Sequence, residues 1–330
     1  MVALDACPAS VEAAIAGRCN LLLTHHPLIF KPLKKLSTAD PDGSLIFQAI
    51  RNDLSIIALH TNYDIAAGGL NDLLAERLGL GATDPLQMTG SEELLKLSVF
   101  VPKGHEERVM EPLFRFSGFI GNYADCSFRV TGTGTFRPLS GAAPFIGEVG
   151  ERAAVEESRI EVLLRRDDLD AAVAAIKKAH PYEEPAFDLY PLANRGSARG
   201  LGRIGDLSEE TTLAHFAGFV KQQLGASGVR FVGRQERKVK RIALCSGSGA
   251  SLLREAAFKG ADVLVTGDLK YHEARDAEAL GIAVVDAGHF ATERLMIGGI
   301  VERVAKELEG LRYTAAVVPF DGEKEPFTYV

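Results

Sequence analysis

The chain has 330 residues, 46% hydrophobic and 25% charged, enough for two domains or one domain carrying an insertion, and typical of a globular protein in water. Its formal charge of −7 argues against nucleic acid as a partner, since a general nucleic-acid binder needs a basic face; the cluster Arg234, Arg237, Lys238, Lys240 and Arg241 reads as a solvated strand edge. No apolar run nears the roughly 18 residues of a membrane span, no signal-peptide pattern is present, and Cys7, Cys19, Cys126 and Cys245 form no C-x-x-C pair, so we expect a cytoplasmic protein with no membrane partner, zinc ribbon or disulfide framework.

In chain order, residues 2–7 are expected as a strand, 9–17 as a helix and 20–24 as a strand that closes on Thr24-His25-His26-Pro27. The apolar run 56–59 follows, then His60-Thr61-Asn62-Tyr63-Asp64 and a long amphipathic helix over 65–79. A different pattern comes next: strand 96–101, helix 105–116, glycine-interrupted strand at 127–130 and 134–136, strand 159–164, helix 167–179 opened by Asp167 and Asp168, and strand 187–190. Its β-α-β-β-α-β order is that of a ferredoxin-like module, and 194–200 reads as a linker leaving it. A helix at 209–223 and a β-like stretch near 228–232 lead to strand 242–246, a Gly-Ser turn, helix 250–259 and strand 262–266. Strand 282–285, the motif His289-Phe290-Ala291-Thr292-Glu293 and a helix over 290–309 complete the series.

The first and last series resemble each other: strand, turn, helix, a strand ending in Thr, a third strand with a ligand motif, then an amphipathic helix. Strands alternating with helices imply a mainly parallel sheet covered on both faces. The expected fold is therefore α/β, with two pseudo-symmetric α/β halves forming one three-layer body over 1–94 and 196–330. An inserted ferredoxin-like α+β domain is expected over 95–195. The helix at 209–223 and the stretch near 228–232 have no counterpart in the first half.

Five residues of these motifs, His25, His26, Asp64, His289 and Glu293, offer the imidazole and carboxylate donors of a hydrolytic divalent-metal site. Neighbouring residues of a regular strand face opposite ways, but at a strand end before Pro27 both rings can turn into one cleft, one for each of two metals. Asp64 is expected at an N-cap-like position. His289 and Glu293, four apart, share a helix face, where a Glu can bridge two cations. Five ligands for two ions leave positions open for water or substrate, and His60 and Thr292 are expected to orient the ligands. A lone His-His pair or His-x-x-x-Glu is usually an ordinary polar pair; the inference rests on all three motifs following short apolar strands, two at matching places in the halves.

Thr266-Gly267-Asp268-Leu269-Lys270-Tyr271-His272 matches the place of Thr24-His25-His26, so Lys270 and His272 are expected to face the same cleft and meet an anionic or polar substrate; the alternative is an Asp/Lys pair closing a strand. The turn Ser246-Gly247-Ser248-Gly249 fits either a phosphate cradle at a helix N-terminus or a tight turn alone.

At Thr24-His25-His26-Pro27, His60-Thr61-Asn62-Tyr63-Asp64, the Thr266-to-His272 motif and Gly288-His289-Phe290-Ala291-Thr292-Glu293 the chain resembles the dinuclear-metal-centre hexameric family known as GTP cyclohydrolase I type 2 homologues, related to yeast NGG-one-interacting factor three. The resemblance runs over nearly the whole chain. It implies two divalent ions per chain, for which Zn, Mn and Fe all suit the donors, held by His25, His26, Asp64, His289 and Glu293. It also implies a toroidal homohexamer, a trimer of dimers, with metal sites facing its interior. The insert resembles the PII-like module of longer members through His180-Pro181-Tyr182-Glu183-Glu184-Pro185-Ala186-Phe187-Asp188. Members usually carry several dozen residues, including a Trp-Asp-Asn segment, before the strand at Val2; this chain has no Trp.

The implied reaction is metal-dependent hydrolytic opening of the guanine imidazole ring of GTP, with Glu293, His272 and Lys270 as candidates for catalytic roles. The alternatives are a non-enzymatic, metal-binding regulatory hexamer whose insert senses a nucleotide or other small molecule, and a generic metallophosphohydrolase.

Overall fold

The computed structural model describes residues 1–328. The chain divides into two compact units, one formed by Met1–Gly90 with Arg199 onward, the other by Ser91–Ala198. The first unit begins with α1 (Pro8–Ala16), β1 (Leu21–Thr24), α2 (Pro41–Arg51), β2 (Ser55–Ala58), α3 (Thr61–Asp64) and α4 (Leu70–Arg77). Strand β3 (Asp84–Pro102) carries the chain into the second unit, which adds α5 (Glu106–Leu113), β4 (Ser127–Phe136), β5 (Ala153–Arg165) and α6 (Leu169–Ala179). Strand β6 (Phe187–Thr212) returns it to the first unit. There α7 (Leu213–Leu224), β7 (Arg230–Val232), β8 (Lys238–Leu244), α8 (Leu253–Phe258), β9 (Val263–Thr266) and α9 (Tyr271–Leu280) follow. The last elements are β10 (Ala283–Asp286), α10 (His289–Glu293) and α11 (Leu295–Gly310).

In the first unit the two halves build separate sheets rather than one. Strands β1 and β2 pair in parallel from Leu21↔Ser55 to Thr24↔Ala58. In the other half β8, β9 and β10 run parallel in that order, with β6 antiparallel on β8 and β7 antiparallel on β10. Alternation along these strands explains their double burial. Ile242, Leu244, Val263, Val265 and Val285 face Leu74 of α4, Leu78 just beyond it, and Phe216 and Val220 of α7. Ala243, Leu264 and Val284 face Leu253 and Ala256 of α8 and Ala277 of α9. The first half repeats the scheme: Leu22 packs with Val11, Ala14, Leu45 and Ala49, while Val2 and Leu4 pack with Leu70, Met296 and Ile300.

The expected strand over 2–7 shrinks to parallel bridges from Val2 to Leu23 and Pro319. The cause is a contact distant in sequence that takes the next backbone N–H groups: Leu4 and Asp5 donate to the Glu323 carboxylate at 2.7 and 2.6 Å. The helix expected over 65–79 covers only Leu70–Arg77. Gly68 has a φ of +67° and a Cβ on Gly69 would sit 2.0 Å from the Tyr63 carbonyl oxygen, so the chain turns tightly before α4. Helix α2 has no counterpart among the sequence expectations. The stretch 194–200, expected as a linker, lies inside β6; its glycines fall where the backbone of the β3 region is too close for a Cβ, as with Gly200 2.2 Å from the Gln87 carbonyl oxygen.

The second unit runs strand, helix, strand, strand, helix, strand. β3 pairs antiparallel with β5 from Leu94↔Arg165 to Pro102↔Glu157, and β5 with β4. Leu97, Val99, Val101, Ile160, Val162 and Leu164 pack against Val109 and Leu113 of α5 and Ala172 and Ile176 of α6, an independent core.

Buried Arg203 ties the start of α4 to β6 in the first unit. It pairs with Asp72 and donates to the carbonyls of Gly200 and Gly202, both at 2.8 Å, and of Ala66 at 3.2 Å. Arg203→Met keeps the stem but strands Asp72 and three carbonyls. We expect a loss of about 3 kcal/mol, toward the lower end for a broken buried pair because Asp72 is partly exposed, read as a lower urea midpoint at unchanged slope.

Candidate metal centre

The strand ends set the site. Beyond β1 the chain leaves the ladder, and the backbone N–H groups of both His25 and His26 donate to the Leu4 carbonyl, at 3.0 and 3.1 Å. This non-strand geometry allows both rings to face inward. The His25 Nδ1–H donates to the Leu59 carbonyl at 2.8 Å, which leaves Nε2 as the inward acceptor. Nδ1 of His26 bonds Asp5 Oδ1 at 2.8 Å. His289 and Glu293 share one face of α10, and Nδ1 of His289 bonds Asp268 Oδ2 at 2.7 Å. Asp64 stands at the end of α3, not at the N-cap-like start expected of it. It is held there by the Ser246 hydroxyl, which donates to Oδ1 at 3.4 Å, and by Asn71 Nδ2 donating to its carbonyl at 3.1 Å.

Glu293 lies at the centre. Its Oε2 is 3.0 Å from His26 Nε2 and 2.9 Å from His289 Nε2, and those two nitrogens are 3.3 Å apart. Its Oε1 is 3.6 Å from His25 Nε2, which is itself 3.7 Å from Asp64 Oδ1. Donors around one tetrahedral ion at the usual bond lengths are separated by about 3.3 Å. The five residues expected from the sequence therefore meet as two donor sets that share one carboxylate. His60 stands beside them, its ring 5.1 Å from that of His25 and 5.6 Å from that of His26, and forms a further three-histidine grouping with them.

A divalent ion fits what the residues leave undone. Glu293 is only 4% exposed, and its Oε2 lies within ion-pair range of two imidazoles but off their hydrogen-bond directions. His25 Nε2 is likewise buried without a hydrogen-bond partner. Two buried, inward-facing donor atoms without partners are what a cation would satisfy.

Electrostatics point the same way. The bond to Asp5, then the close approach of Glu293, raises His26 to about 10. Contact with Glu293, and the Asp268 bond, raise His289 to about 9. Burial pushes Glu293 up, but His25, His26 and His289 more than offset it and hold the carboxyl far below the usual range. Burial raises Asp64 to about 6 and lowers His60 from its ordinary value.

Lys270 and His272 are exposed at the start of α9, and no described contact joins either to the histidine–carboxylate cluster. Asp268 of the same motif is the residue that reaches it. The signal was present in the sequence, since Thr266-Gly267-Asp268 lies over Thr24-His25-His26 and so sets Asp268 against His26. Asp5 gave less warning, being one acid in a stretch read as strand. The turn at 246–249 is no phosphate cradle: Ser246 N–H donates to Asn71 Oδ1, Gly247 N–H to Thr292 Oγ1 and Gly249 N–H to Thr266 Oγ1. Thr292 thereby ties this turn to α10. A cavity of 1080 Å³ opens beside the cluster, with Asp5, His26, Asp268 and His289 on its wall; Arg230 there is paired with Asp286 at 2.7 Å, and Lys324 lies beside Glu323 and Glu325 in the lining.

The sequence profile of the family described as Duf34/NIF3 (NGG1p interacting factor 3) matches residues 1–326. The chain belongs to the DUF34/NIF3 family. A Bacillus subtilis member named GTP cyclohydrolase 1 type 2 homolog is 43% identical over 331 residues, covering 100% of this chain and 88% of that protein. The Halalkalibacterium halodurans protein of the same name is 44% identical, covering 100% and 89%. Among solved structures, a Bacillus cereus protein related to NIF3 superposes with a TM-score of 0.86 at 43% identity, covering 100% of this chain and 88% of that one. Staphylococcus aureus SA1388 does so with a TM-score of 0.68 at 30% identity, with the same coverage. The mixed α/β architecture with its large sheet is that of solved NIF3 structures.

Protons hold the cluster when no cation does. His26 and His289 are raised above their ordinary 6.5, so their stabilisation of metal-free protein is complete below about 6.5 and lost as pH rises through 9 to 10. The melting temperature of chelator-treated protein should fall across that window. Divalent-ion binding near pH 7 should release about two protons and tighten as pH rises, measurable by calorimetry in buffers of different ionisation enthalpy. Gly247 offers a structural check: its φ is +56° and a Cβ would lie 2.1 Å from Glu293 Oε1. Gly247→Ala should displace the carboxylate and lower the metal content of folded protein, read by elemental analysis.

Proposed function

We propose that this DUF34/NIF3 member is a dinuclear divalent-metal protein acting as a metal-dependent hydrolase of the GTP cyclohydrolase I type 2 kind, opening the guanine imidazole ring with water. The observation that carries the reading is the sharing of Glu293, whose Oε1 faces His25 and whose Oε2 faces His26 and His289. In this reading Glu293, with His25 and Asp64 on one side and His26 and His289 on the other, would hold two ions of Zn, Mn or Fe. Bound ions supply Lewis acidity and make water a nucleophile near neutral pH. The chain supplies the rest. Asp5 and Asp268 fix the tautomers and orientations of His26 and His289. His60, kept neutral by burial and the neighbouring imidazoles, is placed to accept a proton. Lys270 and His272 would meet substrate only outside the cluster.

The family resemblance of the metal-ligand motifs supports a cytoplasmic homohexamer, a trimer of dimers, as the working form. Among the described residues no helix is long and apolar enough to cross a membrane. A second reading, a metal-binding regulator with a PII-like sensing insert, draws support from the β-α-β-β-α-β order of the second unit and its own core.

The test is metal content and turnover of purified, metal-loaded protein against GTP and a panel of phosphoesters. We expect about two ions per chain, release of formate from GTP, loss of turnover on chelation, and loss of both ions in Glu293→Ala. Phosphoester cleavage without formate would favour a generic metallophosphohydrolase. Full metal content with no turnover of any substrate would favour the regulatory reading.

A further inference from the structure

The motif His180-Pro181-Tyr182-Glu183-Glu184 has no part in the metal cluster, yet it is tightly built into the second unit. His180 is buried; its Nδ1 accepts from Tyr182 N–H at 3.0 Å, so its Nε2–H donates to the Phe100 carbonyl at 2.9 Å. The ring is thus neutral and serves as a bracket for the backbone of Tyr182. The Tyr182 hydroxyl donates to Glu157 Oε1 at 3.0 Å. The Glu183 carboxylate accepts from Ala143 N–H at 3.1 and 3.2 Å, which pins the loop after β4. Between these parts lies a cavity of 420 Å³, the size of a small-molecule site.

The cavity wall is mainly aromatic and aliphatic, with one buried charge; the other charged residues on it, Arg137, Glu183 and Glu184, are exposed to water. The Tyr182 ring lies 5.7 Å from Phe136 and 6.3 Å from Phe145, and Phe100, Pro144 and Ile146 continue the apolar wall. Glu157 also lines it and is only 8% exposed. Among the described residues no Lys, Arg or His pairs with Glu157; its described hydrogen bond comes from a neutral phenol. Buried carboxylates are normally matched by a cation, because one that loses its hydration without a counter-charge destabilises the fold. The opposing strand leaves room for this group and not for a side chain: a Cβ on Gly134 would lie 1.9 Å from Glu157 Oε2.

We propose that this cavity binds a small organic cation, an ammonium or quaternary ammonium group seated against Glu157 and the rings of Tyr182, Phe136 and Phe145, with its apolar body along Phe100, Pro144 and Ile146. Aromatic faces attract cations through their quadrupoles, and a carboxylate beside them adds the counter-charge an apolar pocket lacks. The site uses only second-unit residues, so its occupancy does not depend on the metal cluster.

The experiment uses the full chain and three probes of similar size: benzyltrimethylammonium, benzyl alcohol and phenylacetate. Binding is followed by saturation-transfer NMR and calorimetry, with and without chelator. We expect saturable binding of benzyltrimethylammonium at least tenfold tighter than either comparator, unchanged by chelation or by Glu293→Gln. Glu157→Gln, nearly isosteric, should weaken the cation tenfold or more and leave benzyl alcohol unaffected. Phe145→Ala, at a half-exposed ring whose loss spares the core, should also weaken it and keeps the test open if Glu157→Gln fails to fold. Equal affinity for the three probes, no saturable cation binding, or cation affinity indifferent to both substitutions would overturn the proposal.

Discussion

The constraint on which the first unit depends is the burial of one carboxylate. Glu293 is withdrawn from water, and among the described residues its only ion-pair partners are the imidazoles of His25, His26 and His289. An uncompensated carboxylate at that depth would cost several kcal/mol. Without a cation the compensation comes from protons on His26 and His289, each further fixed by an aspartate behind it. That arrangement favours exchange of the protons for metal. The second charges, Asp5 and Asp268, orient the rings in either state.

The fold explains why these groups meet. Each half ends its parallel strands on the same side: β1 before His25, β2 before His60, β9 before Asp268 and β10 before His289. Ligands gather at the carboxyl ends of parallel strands because the loops there are free of ladder bonds. His25, His26 and Asp64 come from one half and His289 and Glu293 from the other, so neither half alone holds a complete centre. Close packing at Gly247 and Gly267 lets the opposing loops approach, with a Cβ on Gly267 only 2.7 Å from the His289 nitrogen.

The second unit meets the same physical problem with a different outcome. Glu157, like Glu293, is buried, but phenol and phenyl rings surround it where imidazoles surround Glu293. Imidazoles can exchange protons for a metal ion; aromatic faces favour a soft organic cation. The chemistry beside a buried carboxylate is therefore what separates the inorganic site proposed for the first unit from the organic one proposed for the second.

The strand ends and the five residues of the histidine–carboxylate cluster were legible in the sequence because each rests on local pattern: apolar runs broken at Thr24, His60 and Asp286, and the i, i+4 spacing of His289 and Glu293. Local pattern does not reach across the fold. The strand at 2–7 failed because its N–H groups go to Glu323, more than 300 positions away. Asp64 closes α3 instead of capping a helix start, because Gly68 and Gly69 delay α4. The match of the half-repeats set Asp268 at the place of His26, but that its carboxylate turns to His289 while Lys270 and His272 stay outside depended on the path of the turn after β9. Composition and spacing by themselves determined the α/β class and a pool of histidines and carboxylates at strand ends. Only tertiary structure decided which of their atoms share a centre, since pairing two donors across the chain takes packing energies from both halves at once, and no short window of sequence contains them.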